Sequence, residues 1–183
     1  MITWLDHLLS IHTVIWLFPI AFMFHDLEEI VMVESWMKRN RAHLYNLLSA
    51  RMVNVMERNF SMSTASFAVA VSVMLIGVSY AAVSAGLSVD HGGSMLPFAG
   101  ALAVFFLHAF THIGQAIYVQ RYTPGVLTSI IIVLPYSVYA YYRLFGDSLI
   151  TWKIALLGIP VGFLCGALLL SIGHFTGRLI KNS

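Results

Sequence analysis

Apolar residues fall in five long blocks, at about 12–33, 62–87, 95–119, 125–145 and 150–173. Each is close to the ~20 residues that a helix needs to cross a hydrocarbon core. The pattern predicts an all-α, polytopic bundle of about five transmembrane helices in one membrane domain, 1–183. The first block departs from the rule. It begins Val14-Ile15-Trp16-Leu17-Phe18-Pro19-Ile20-Ala21-Phe22-Met23 and ends Val31-Met32-Val33, with Phe24-His25-Asp26-Leu27-Glu28-Glu29-Ile30 between. These polar positions make it the least hydrophobic of the five, and a plain hydropathy window scores it poorly.

The connections carry their own signals. Met37-Lys38-Arg39-Asn40-Arg41 opens a basic stretch that runs to Arg58 and is expected to hold a short interfacial helix. Val53, Met56, Phe60 and Met62 extend the second apolar element back towards Met52. Asp90-His91-Gly92-Gly93-Ser94 is a turn, and Thr123-Pro124-Gly125 reads as an N-cap followed by proline at the first helical position. Tyr136, Tyr139, Tyr141 and Tyr142 predict an aromatic belt, and Pro135 and Pro160 are sites for kinks. Gly158, Gly162 and Gly166 recur every four residues, as do Gly77, Ala81 and Ala85. Such stripes allow close helix approach, with packing inside the bundle favoured over a dimer seam and a homo-oligomer left open.

Composition fits this reading: 59% of residues are hydrophobic, 10% are charged, and mean hydropathy is +0.83. Soluble domains are nearer half apolar and a quarter charged. The net charge of +2 is diffuse and gives no nucleic-acid signal. A single cysteine, Cys165, excludes an internal disulfide and reads as an apolar filler. The N-terminus lacks the basic flank of a cleavable signal. Eight of the ten basic residues fall in the 37–60 and 120–124 connections and the C-terminal tail, leaving Arg143 and Lys153 for the other side. The positive-inside rule then places the N-terminus outside and the C-terminus in the cytoplasm of a multi-pass cell-membrane protein.

The polar residues inside the apolar blocks hold the chemistry. At about 100° per residue, His25, Glu28 and Glu29 project in one sector of a helix, with Asp26 about a quarter-turn away. A charged group at mid-membrane costs roughly 2.5–3.5 kcal/mol on insertion scales. Adjacent carboxylates in apolar surroundings need protons, a counter-charge or a bound cation. The third block puts His108 and His112 one turn apart, a chelating geometry, with Thr111 and Gln115 on the same face. Asn54 and Glu57 stand at i, i+3 where the second span begins. With alternating span directions, all three groups lie at one depth, in the cytoplasmic half. The expected metal ligands are His25, Glu28, Glu29, Glu57, His108 and His112, with Asn54, Thr111 and Gln115 behind them and Glu28 and Glu29 as catalytic carboxylates. His7, His12, His43 and His91 are read as peripheral, while His174 could belong to either group.

These elements, His25-x-x-Glu28-Glu29, then Asn54 with Glu57, then His108-x-x-x-His112 and the Pro-Gly opening of the fourth span, resemble the bacterial membrane proteins named for their HXXEE motif. The resemblance covers most of the chain and implies a multi-pass membrane protein with an enzymatic role, but supplies no reaction. From the donor set the first reading is a metal-dependent membrane enzyme, a zinc hydrolase acting on a lipid or other amphiphilic substrate. Zinc, one or two ions, is the expected cofactor. Iron is the second choice, with di-iron redox chemistry, although the ferritin-like sites use the reverse Glu-x-x-His order. The alternative is a proton- or cation-coupled transporter using the same cluster, for which five spans without an internal repeat are an awkward frame.

Overall fold

A computed structural model describes residues 2–54 and 63–181. Among them the chain is helical throughout: α1 (Ile2–Leu8), α2 (Ile11–Leu47), α3 (Thr64–His91), α4 (Leu96–Val119), α5 (Val126–Gly146) and α6 (Trp152–Lys181). The helices α3 to α6 each contain a stretch long and apolar enough to cross a membrane, so this is a multi-pass membrane protein. The 37-residue α2 has the length to span, at 1.5 Å per residue, but its charges keep it out of that class.

Two boundaries depart from expectation. The basic stretch after residue 36 holds no separate interfacial helix up to Leu47, because α2 runs straight through it. Nothing between Val33 and Leu47 breaks a helix, and Glu34 and Lys38 pair one turn apart at 2.7 Å. The chain turns extended only at Leu48, and a second helical stretch covers residues 50–54. Secondly, Thr123 does not cap α5. Gly125, at φ +85°, is the cap residue, and Val126 is the first helical position. Thr123, Pro124 and Gly125 are instead buried in a tight turn beneath α4. The turn at 90–94 is as expected, with Gly92 ending α3 at φ +76°.

The bundle is held by small residues and an aromatic knot. The longest helix contacts run between α6 and both α3 and α4, and between α2 and α3, while α5 wedges between α2 and α4. Gly158 and Gly162 of α6 lie against the backbone of Gly100 in α4, so a side chain at any of the three would collide with main chain. Gly77 packs on Leu169, and Ala81 and Ala85 are buried, but Gly166 faces open space. The small-residue stripes are thus largely internal. Phe18 of α2 meets Phe98 and Phe105 of α4 edge-on, at 5.3 and 5.5 Å between centroids, and stacks on Tyr136 of α5 at 6.0 Å.

The tyrosines of α5 are more than a belt. Tyr136 donates to the Val14 carbonyl, and Tyr139 and Tyr142 donate to the two carboxylate oxygens of Asp6. Arg143 donates to the Leu9 carbonyl at 2.6 Å, joining α1 to the same end. At the opposite end, Glu34 of α2 accepts from both the backbone N–H and the hydroxyl of Thr64, satisfying donors left free at the start of α3. Just before Pro135, residues Ser129–Val133 form a π-helical turn in which the Leu134 N–H reaches back to the Ser129 carbonyl. Pro135 has no N–H and its ring crowds the carbonyl four residues earlier, so the wider turn accommodates it. Thr128 is the last residue before that turn.

Candidate metal centre

Three helices and one turn build the centre. His25 and Glu29 come from α2, His108 and His112 from α4, and one ligand atom of each lies within 4.8 Å of the others. His25 and His112 are almost wholly buried, and Glu29 nearly so. His108 keeps an open flank. His108 Nε2 and His112 Nε2 are 2.8 Å apart, and Glu29 Oε1 is 3.3 Å from His112 Nε2. The His25 ring stands edge-on to the other two, with centroids at 5.4 and 4.9 Å. Two nitrogens bound to one tetrahedral zinc are about 3.3 Å apart. The His108–His112 separation is within tenths of an ångström of that. The set as a whole, spread over up to 4.8 Å, would have to contract to close on an ion.

The hydrogen bonds behind the rings decide which nitrogens are free. His112 Nδ1 is 2.9 Å from the Pro124 carbonyl. A carbonyl only accepts, so Nδ1 carries the proton and Nε2 offers a lone pair. That lone pair faces both the Glu29 carboxylate and the His108 nitrogen. His25 is set by a longer chain. Thr128 Oγ1 donates to Glu28 Oε2 at 2.5 Å, so its oxygen accepts from His25 Nδ1 at 2.9 Å. His25 Nε2 is left as a lone pair, buried and without a partner among the described residues. An unpaired buried acceptor is costly. Fixed tautomers with outward lone pairs are what imidazole needs in order to ligate.

Gly125 makes the seat for His112. A Cβ built on it would stand 2.6 Å from the ring's Cε1 and 2.7 Å from Nδ1, and its φ of +85° suits glycine besides. Thr123, below it, directs its hydroxyl at the His112 carbonyl at 3.5 Å.

Glu28 stands apart from the four donors. Its Oε2 accepts from the Thr128 N–H at 2.8 Å as well as from the hydroxyl, and its Oε1 accepts from Tyr122 at 2.5 Å. The first turn of α5 presents free N–H groups and a partial positive charge, a favourable place for a carboxylate. Burial, reinforced by the bond to Glu28, raises the Tyr122 hydroxyl above its ordinary range, so it remains a donor. Asp26 is buried, with Oδ2 unpartnered among the described residues. Thr111 donates to the His108 carbonyl at 2.7 Å and lies 3.4 Å from His108 Nδ1. Gln115 and Asn54 are exposed and outside the cluster, and Glu57 lies outside the described residues. His12 pairs with Asp90, His43 bonds the Val119 carbonyl, and His174 is not among the four.

Thr128, Tyr122 and Gly125 therefore shape the centre, although no spacing in the sequence marks them as site residues. Thr128 does leave a signal there: with Ser129 it is a polar pair in an otherwise apolar run, at the start of the span that follows His112.

Residues 16–140 match the family described as "protein of unknown function with HXXEE motif". No curated protein and no solved structure matches the chain.

Proposed function

We propose, from the premise that this chain belongs to the HXXEE-motif family, that it is a metal-dependent enzyme of the cell membrane. Hydrolysis of a lipid or other amphiphile is the reaction the donor set suits best. One observation carries the reading: the buried His25 Nε2 has no partner among the described residues, and it gathers with His108, His112 and the Glu29 carboxylate. A proton between His108 and His112 satisfies that pair, but His25 Nε2 is satisfied only by a species that enters the cluster, and a cation there would also let Glu29 stay ionised. Three imidazoles suit zinc, which supplies Lewis acidity and a lowered water pKa. Glu29 is then the base that takes the proton from water. With Glu28 engaged by Thr128 and Tyr122, one carboxylate remains in the cluster. That favours a single ion over the carboxylate-rich two-metal sites of helical bundles.

Metal analysis of the purified chain is expected to give about one zinc per molecule. Glu29→Gln should keep the metal and lose turnover. Thr128→Val removes the hydroxyl that orients His25, and metal affinity should fall about 10- to 100-fold, the usual effect of losing an outer-shell partner. The carrier reading draws on Asp26, a buried carboxylate next to His25 in sequence whose Oδ2 has no partner among the described residues. Metal-free wild-type protein that moves protons with its substrate would favour the carrier and sink the enzyme.

We assign the end of the bundle that holds Lys38, Arg39, Arg41 and Arg121 to the cytoplasm, by the positive-inside rule. Reporter fusions in the 90–94 turn should then read as external, and a cytoplasmic signal there would reverse the assignment.

A further inference from the structure

On the basic end of the bundle, α2 and the α4–α5 turn line an open groove of about 270 Å³. Trp36, Arg39, Asn40, Arg121 and Tyr122 line it, and no carboxylate does among the described residues. The two arginines come from segments more than eighty residues apart. Arg121 donates to Asn40 Oδ1 at 3.0 Å, and neither arginine has an acidic partner among the described residues. The wall is built rather than incidental. The Trp36 indole N–H donates to the Tyr122 carbonyl at 2.6 Å, and the Tyr122 hydroxyl donates to Glu28, which in turn holds Thr128 and His25. The Tyr122 side chain thus joins the groove to the residues that orient the cluster.

We propose that this groove binds the anionic head of the substrate, a phosphate-type oxyanion held between Arg39 and Arg121. Guanidinium groups match such oxyanions with paired N–H donors. The Trp36 and Met32 side chains beside them offer an apolar wall for the adjoining chain. The inference rests on the enzymatic reading given above and narrows it. The substrate enters with its charged head at the basic membrane surface and its scissile group towards His25, Glu29, His108 and His112. The same chemistry is offered by a phospholipid head and by a soluble phosphate ester.

The full chain in neutral detergent is titrated calorimetrically with inorganic phosphate, with short-chain phosphatidic acid and with short-chain phosphatidylcholine, and metal content is measured on the same samples. Phosphatidic acid should bind more tightly than phosphatidylcholine, and Arg39→Gln and Arg121→Gln should each weaken it about tenfold, as loss of a charged hydrogen-bond donor does. Arg39→Gln is the cleaner variant because Arg121 also donates to Asn40 Oδ1, while Arg121→Lys keeps the charge and should retain part of the affinity. Both glutamine variants should keep their metal, and His112→Ala should keep its anion binding, which separates this groove from phosphate bound directly to the ion. Phosphate binding as tightly as phosphatidic acid would identify a soluble phosphate compound, and phosphatidic acid alone would identify a lipid head; either supports the subsite. Absence of binding, equal binding of phosphatidylcholine, or affinity unchanged in both glutamine variants overturns it. Wild-type protein without metal would overturn the enzymatic reading instead, whatever the anion titration gives.

Discussion

His112→Ala is expected to leave less than about a tenth of the wild-type metal in the purified protein. The ring is the hub of the centre. Its Nε2 lies 2.8 Å from His108 and 3.3 Å from Glu29, and its Nδ1 is anchored to Pro124. Removing it takes one imidazole of three and loosens the register of the other two and of Glu29. The helices themselves should survive, because α4 is held against α6 by Gly100, Gly158 and Gly162, remote from the cluster in sequence. Elemental analysis together with circular dichroism would show metal lost and helicity kept. His12→Ala is the control, since His12 pairs with Asp90 and takes no part in the cluster. Equal metal in His112→Ala and His12→Ala would remove the ion from this site.

The second large effect comes from a residue with no donor atom in its side chain. Gly125→Ala puts a methyl group into the edge of the His112 imidazole, with the nearest ring atoms at 2.6, 2.7 and 3.1 Å. It also forces a non-glycine residue into the left-handed region, at a cost of roughly 1–2 kcal/mol. The ring must move, and its Nδ1 hydrogen bond to Pro124 is the first to break. A competition titration with a zinc chelator should show affinity at least about tenfold weaker, comparable to loss of an outer-shell partner. Gly114→Ala is the matched control, because a Cβ there meets nothing within 4 Å. Wild-type affinity in Gly125→Ala would mean that the turn does not set the ring.

Much of this centre is legible in the sequence. The i, i+4 spacing of His108 and His112, and of His25 and Glu29, puts each pair on one helix face, and alternating span directions bring the faces to one depth. That is enough to bring the four donors together. What spacing cannot supply is the rotation of α2. Glu28 and Glu29 differ by about 100° around the helix, and both fall within a sector broad enough to face α4. The choice between them is made by α5, whose first-turn N–H groups and Thr128 hydroxyl draw Glu28 away. The same limit hides the role of the Thr123-Pro124-Gly125 turn. Its residue types suit a helix start equally well, and only the proximity of His112 shows why glycine, rather than threonine, is the cap. The helical spans are legible because apolar runs carry their own length. The end of α2 is not, since a basic helix and a basic loop differ little in composition.

The long sequence separation between these partners bears on how the chain is made. Glu28 finds its partners 94 and 100 residues downstream, and His25 finds Thr128 at 103. The ribosome delivers α2 before α4 and α5, with its polar sector complete and the Tyr122 and Thr128 groups that satisfy it still unsynthesised. A bilayer accepts backbone and side-chain polarity only where protein satisfies it. So α2 cannot settle on its own merits as the other helices can, and its final seat is fixed only once the α4–α5 hairpin is in the membrane. A helix made early is locked late, and the centre it carries closes only when the α4–α5 hairpin has joined it.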